Sequence, residues 1–150
     1  MKGAFALSVQ GNTFVSQYLG NLSNYENQVQ FEAVLQRFMD LIDANPELII
    51  VDGHPGYFTH QLGNTLAKEK ALPLVEVQHH EAHFAAVLAE HQLTNNDRVL
   101  GVVWDGTGLG SDGYSWGGEF FDYSNHEINR LTHLRYFTNL SNDRMAVDNR

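Results

Sequence analysis

The sequence predicts an α/β protein, on three observations. Strand-length apolar segments alternate with segments of helical periodicity through the first two thirds of the chain. The segment ELIIVDG is wholly apolar up to its Asp-Gly end, as strands buried on both faces of a parallel sheet are. After the polar break LTNNDR the pattern changes to three successive strand-like segments.

Each element follows from local chemistry. KGAFALSVQG and TFVSQYLG alternate apolar and polar residues around Gly11-Asn12, which predicts a hairpin with a tight turn. Asn21 to Asn27 is polar and reads as a turn. Phe31, Val34, Leu35, Phe38, Met39, Leu41 and Ile42 recur at helical spacing, and Pro46 closes that run. ELIIVDG is the next strand, His60 to Ala71 a second helix, LPLVEVQ a strand, and His80 to His91 a third helix. The order strand–strand–helix–strand–helix–strand–helix predicts a mostly parallel sheet flanked by helices. RVLGVVWDG, SWGGEFFDYS and EINRLTHLRYF then form a β-meander, the first two strands joined by a glycine-rich loop. Residues 1–95 are read as a first α/β unit and 96–150 as the start of a second. Because NDRMAVDNR brings no helices to cover the second sheet, the chain is read as ending inside that unit. The meander is then expected to pack back on the first unit or to pair with another copy, a possible homodimer.

Bulk chemistry narrows the function. With 150 residues and 43% hydrophobic content the chain has enough apolar surface for a core. No apolar run approaches the roughly 18–20 residues that span a bilayer, so no membrane association is expected. The start, MKGAFALSVQGN, is too short and interrupted for a secretory signal, and cytoplasmic residence is the default expectation. Zero cysteines exclude disulfides, a thiol nucleophile and thiolate metal ligands, leaving His, Asp and Glu for any metal. A net charge of −9 speaks against nucleic-acid binding through a broad basic face.

The segment VQHHEAHFAAVLAEH places His79 and His83 four apart where a strand runs into a helix. Residues at i and i+4 share a helix face, so both imidazoles can reach one divalent ion such as zinc or ferrous iron. The alternative is polar residues at a helix start. Three histidines at the carboxyl end of a parallel strand favour a ligand site, because ligands of open α/β sheets gather there. His80 points to another face and reads as a group that supports the ligands, faces substrate or moves a proton. Phe84 stands where a zincin would need its second His, which argues against metalloprotease chemistry. His91, His126 and His133 are read as structural or surface residues.

Asp105-Gly106-Thr107-Gly108-Leu109-Gly110 follows the apolar strand Val99–Val103. Its glycines suit a backbone that turns its amides onto phosphate oxygens, with a hydrogen bond from Thr107 and a metal or its water on Asp105. A plain hairpin turn is the other reading. The segment is neither a Walker A motif nor a dinucleotide fingerprint. Gly117-Gly118 on the return strand suit close approach of a substrate, and Glu119 is read as facing solvent or recognising a polar group. Asp52-Gly53-His54-Pro55-Gly56-Tyr57 offers Asp52 and His54 to substrate, or else forms a turn capped by Asp52.

At VQHHEAHFAAVLAEH, VVWDGTGLGSDGYSWGGEFF, DGHPGY and QYLGNLSN the sequence resembles the HypF carbamoyltransferase family of nickel–iron hydrogenase maturation proteins, in a carboxy-terminal module shared with tRNA threonylcarbamoyladenosine synthases. It departs from that family at Glu81, where a third adjacent His is usual, at Gly56, where an Asp is usual, and at Gly3-Ala4, where an Asn-Thr pair is usual. The resemblance implies an actin-like, ASKHA-type ATPase fold, with an RNase H-like first lobe and the opening meander of a second. It implies that His79 and His83 are metal ligands, with a remaining acidic ligand outside this chain, and that the Asp105–Gly110 segment faces the phosphates of ATP. It further implies an enzyme that makes carbamoyl-adenylate from carbamoyl phosphate and ATP and passes the carbamoyl group to the carboxy-terminal cysteine of HypE, the 150 residues being silent alone. An O-carbamoyltransferase, a tRNA threonylcarbamoyl transferase and a non-catalytic module that docks a partner are the alternatives.

Overall fold

The computed structural model describes residues 3–95 and 98–136, without the side chain of Thr107. The elements run β1 (Ala6–Val9), β2 (Asn12–Val15), α1 (Tyr25–Leu41), β3 (Ile49–Asp52), α2 (Phe58–Lys70), β4 (Leu74–Val77), α3 (His79–Glu90), a short 3-10 turn (Leu93–Asn95), β5 (Arg98–Leu109), β6 (Ser115–Ser124) and β7 (Glu127–His133). The α/β reading and the order of elements hold. In place of one mostly parallel sheet, the described residues form pairs β1–β2 and β3–β4 and a three-stranded sheet β5–β6–β7. The close of the chain, NDRMAVDNR, lies outside the described residues. The chain divides into two compact units: Met1–Val51 with Pro55–Val75, and Asp52–His54 with Glu76–Arg150.

In the first unit, β1 and β2 form an antiparallel hairpin in which Val9 faces Asn12. The turn residues are therefore Gln10 and Gly11, both at positive φ, one position earlier than the sequence pattern indicated. That backbone is the twist-matched two-residue turn of hairpins. Helix α1 starts at Tyr25, inside the segment read as a turn. Asn24 explains the difference: its side chain accepts the Glu26 N–H at 2.8 Å and so caps a first turn that carries no apolar signal. Leu19, Leu22 and Phe31 form the buried cluster of this unit, with Phe5, Val34, Leu35, Phe58 and Leu62 packed on it. Phe31 meets Phe5 and Phe58 edge to face at 5.6 and 5.9 Å, the geometry favoured by ring quadrupoles.

In the second unit, β5, β6 and β7 are antiparallel neighbours. Phe84 and Leu88, four apart on α3, are buried with Val103, Trp116, Phe121 and Tyr123. The period of two along β5 puts Gly101 and Val103 inward, whereas Leu100, Val102 and Trp104 are exposed. Gly101 is the seat of the helix: a Cβ there would stand 2.5 Å from the Phe84 ring. Glu119 corrects the expectation of a solvent-facing residue, since only 1% of its surface is exposed. It receives the Arg130 Nε–H at 2.6 Å and the Gly117 and Gly118 N–H groups at 3.1 and 3.3 Å. A buried carboxylate requires partners of this kind. The Arg130 guanidinium lies 3.7 Å from the centre of the Trp116 ring, which joins the ion pair to the apolar core.

Gly101→Ala is expected to lower stability by about 1–3 kcal/mol, the usual range for overfilling a packed core. Urea unfolding measures it. A midpoint equal to or above wild type would show that Phe84 does not set the helix on the sheet.

Candidate metal centre

The site lies within the second unit, to which Asp52–His54 belong. Strands β3 and β4 run side by side. The bonds from Ile49 N–H to Pro73 O and from Gly53 N–H to Val77 O advance four residues along both strands in the same sense, so the pair is parallel. Asp52 and Val77 are their last residues, and α3 begins two positions after Val77. Gln78 caps the helix: its Oε1 accepts the backbone N–H groups of His80 and Glu81 at 2.6 and 3.0 Å. Helix α3 thus starts at His79, with His79 and His83 on one face.

That face meets Asp105. His79 Nε2 lies 3.2 Å from His83 Nε2 and 3.3 Å from Asp105 Oδ2, and His83 Nε2 lies 3.6 Å from the same oxygen. Two imidazole nitrogens and one carboxylate oxygen therefore sit at the corners of a small triangle. Ligands 2.0–2.1 Å from a tetrahedral ion stand about 3.3 Å apart, which is the scale of this triangle. The second shell agrees. Asp52 Oδ2 lies 2.7 Å from His79 Nδ1. A carboxylate only accepts, so Nδ1 carries the proton and, in the neutral ring, Nε2 keeps its lone pair for an ion. The other oxygen of Asp105 is engaged, since Oδ1 accepts the Gly106 N–H at 2.6 Å. The residues present fit a divalent cation with nitrogen and oxygen ligands.

The remaining sequence candidates fall around this triangle. His80 is fully buried, 5.9 Å from Trp116 ring to ring, with its Nε2 3.9 Å from Asp105 Oδ2. Burial holds its pKa below the ordinary imidazole value. The Asp105–Gly110 segment is not a loop. It continues β5 as far as Leu109, and its register with β6 is interrupted between Trp104 and Gly108. The sharp reversal comes at Gly110, whose N–H donates to Tyr114 O. Gly108 lets the strand pass the histidines, because a Cβ there would be 2.6 Å from His80 Cε1. The amides of Gly106 and Gly110 have partners within the chain, Asp105 and Tyr114. The Thr107 hydroxyl lies outside the described residues. His91 caps the end of α3, His126 meets the Tyr123 hydroxyl, and His133 stacks on Tyr136, all in structural settings.

The sequence reading missed two residues. Asp52 makes the anticipated turn, its Oδ1 accepting the His54 N–H at 2.8 Å, but its second oxygen orients His79. Gln78 stands in the VQHHEAH segment but was given no role. The available signal was positional: both sit at the carboxyl ends of adjacent strands.

The Asp52–His79 pair couples the site to pH. The hydrogen bond to Asp52, opposed by burial, raises His79 above its ordinary 6.5. Burial works to raise Asp52, yet the bonds from His79 and His54 bring it below 3.8. A raised imidazole pKa stabilises the fold fully below 6.5, and the contribution is lost as pH rises through the folded-state value. A depressed carboxylate pKa stabilises above 3.8, and that share is lost as pH falls through its folded-state value. The pair is strongest in mildly acidic solution. Asp52→Asn in metal-free protein is expected to lower the His79 pKa, read by NMR titration of the imidazole resonances. An unchanged titration would show that this contact is not made in solution.

Known proteins similar to this chain fall in one family. The family described as HypF Kae1-like domain matches residues 1–90, and the one described as Carbamoyltransferase, Kae1-like Domain, second subdomain, matches residues 101–150. The chain is 42% identical over 141 residues to the carbamoyltransferase HypF of Synechocystis sp., which covers 94% of this chain and 18% of that protein. It is 35% identical over 147 residues to the carbamoyltransferase HypF of Rhizobium leguminosarum, again with 18% of that protein covered. Among solved structures, T. kodakarensis HypF superposes with a TM-score of 0.86 at 36% identity, over 95% of this chain and 19% of that one. Full-length HypF in a phosphate- and nucleotide-bound form superposes with a TM-score of 0.81 at 35% identity, over 90% of this chain and 20% of that one. The chain belongs to the HypF carbamoyltransferase family and corresponds to its Kae1-like region.

Proposed function

We propose that this chain supplies the metal-binding part of a carbamoyltransferase. The observation that carries the reading is the triangle of His79, His83 and Asp105 on a chain whose relatives are carbamoyltransferases. In this reading Asp105, which the sequence offered to a metal or its water within a phosphate-facing segment, is an acidic ligand within the chain itself. A divalent ion bound there, iron or zinc, supplies Lewis acidity toward carbonyl or phosphoryl oxygens. His79, His83 and Asp105 hold it, and Asp52 fixes the ring of His79 in the ligating orientation.

The finer reading follows from the resemblance. The protein uses carbamoyl phosphate and ATP to form carbamoyl-adenylate and carbamoylates the terminal cysteine of HypE, within an actin-like, ASKHA-type fold. The nucleotide-bound state of a homologous HypF supports ATP as a ligand. In this chain the exposed backbone at Gly106, beside Asp105, is the nearest approach for a phosphate. The amides available to it are others than those of Gly106 and Gly110. The acidic balance of −9 leaves a small anionic substrate to be reached through a metal or backbone amides rather than through a basic surface. A cytoplasmic location, and a homodimer formed through the meander, belong to the same proposal.

Replacing His79 and His83 together by Ala in the protein that carries this chain is expected to abolish zinc or iron uptake in equilibrium dialysis. Carbamoyl transfer is expected to fall on the order of 100-fold or more. Asp52→Asn is expected to weaken metal affinity roughly 10–100-fold, as loss of a carboxylate behind a ligating His does. Metal uptake by the double variant equal to wild type would end the proposal.

A further inference from the structure

His80 is the one buried polar side chain among the described residues whose ring nitrogen has no hydrogen-bond partner, and that atom, Nε2, is directed at the site. Its tautomer follows from Gln78. The Gln78 carbonyl oxygen is fixed by two backbone N–H groups of α3, so the amide cannot be turned round. Its Nε2 must donate, and it does so to His80 Nδ1 at 3.0 Å and to the Leu109 carbonyl at 3.1 Å. His80 Nδ1 therefore accepts, and in the neutral ring the proton resides on Nε2. A nitrogen bearing a proton has no lone pair for a cation. His80 cannot be a third imidazole ligand, although it stands in line with His79 and His83.

We infer that His80 is a positioning residue for Asp105, its Nε2–H held by Gln78 as a donor to the metal-binding oxygen Oδ2. The observed separation is 3.9 Å, beyond a hydrogen bond, and an orphaned buried donor of this kind is destabilising. A small turn of the Asp105 carboxylate toward His80 relieves it. Oδ2 then has an imidazole donor on one lone pair and the shared ligand point on the other, while Oδ1 stays with Gly106 N–H. Gln78 thereby ties three things together: the start of α3, the proton on His80 and the end of β5 at Leu109. His80 touches neither substrate nor solvent in this role, in keeping with its zero exposure.

The inference rests on the metal reading, and the test separates the two. In metal-free protein, long-range proton–nitrogen NMR is expected to show His80 protonated on Nε2 alone, and to show the same tautomer after zinc is added. Isothermal titration with zinc is expected to give His80→Phe, which keeps the volume and loses the donor, about 10–100-fold weaker binding. His80→Gln, which restores an amide donor near the position of Nε2, is expected to recover most of that loss. Thermal unfolding confirms that each variant is folded. A proton on Nδ1, zinc bound to His80 Nε2, or equal zinc affinity of wild type and folded His80→Phe would overturn the positioning role while leaving the triangle of ligands standing. If wild type takes up no zinc, the metal reading itself fails, and the tautomer seen without metal still decides whether Gln78 sets the proton on His80.

Discussion

The contact of Phe84 with Gly101 fixes the height of helix α3 over the three-stranded sheet, and the site follows from that height. Because residue 101 has no side chain, the Phe84 ring settles onto the backbone of β5 and stacks near Phe121. Leu88 continues the same stripe one turn later, buried to 2% exposure. The first turn of the helix then arrives beside the irregular part of β5, where Gly108 again leaves room, this time for His80. A helix seated higher would separate the imidazoles from Asp105, since their contacts are only 3.3 and 3.6 Å. Core packing and ligand geometry are in this way one constraint.

The electrostatic arrangement around Asp105 has a simple logic. Three imidazoles direct Nε2 toward a single carboxylate oxygen, yet the groups behind each ring differ. Asp52 backs His79 and leaves it a lone pair, whereas Gln78 backs His80 and leaves it a proton. His83, more than half exposed, has its Nε2 against that of His79. One proton between those two nitrogens satisfies both. Identical side chains thus take distinct tasks from their neighbours, as in other metal sites.

Much of this was legible in the sequence, for reasons that can be named. The i, i+4 relation of His79 and His83 and the strand character of the segments that form β5, β6 and β7 are local features, and both were read correctly. The start of α1 was misplaced because Tyr25–Asn27 carries no apolar repeat, and the decisive group is one side-chain oxygen on Asn24. Glycines at 106, 108 and 110 were taken for a loop, but the strand continues through the first two, where Gly108 makes room for His80, and turns only at Gly110. Glu119 was assigned to solvent because its partner Arg130, eleven residues on, is charged and unremarkable in sequence. Asp52 and His79 are 27 residues apart and meet only because their strands are adjacent. Local periodicity is written in the chain, whereas partners brought together by pairing of strands are not.

The bond from Gly106 N–H to Asp105 has a consequence for stoichiometry. With one carboxylate oxygen retained by the backbone, the described residues bring three donor atoms, one each from His79, His83 and Asp105, within 4.8 Å of one another. A three-donor set is the hallmark of catalytic rather than purely architectural sites, where a fourth vertex exchanges water for reactant. The backbone amide of a glycine, a residue with no side chain to contribute, thereby limits Asp105 to one free oxygen toward the two imidazoles.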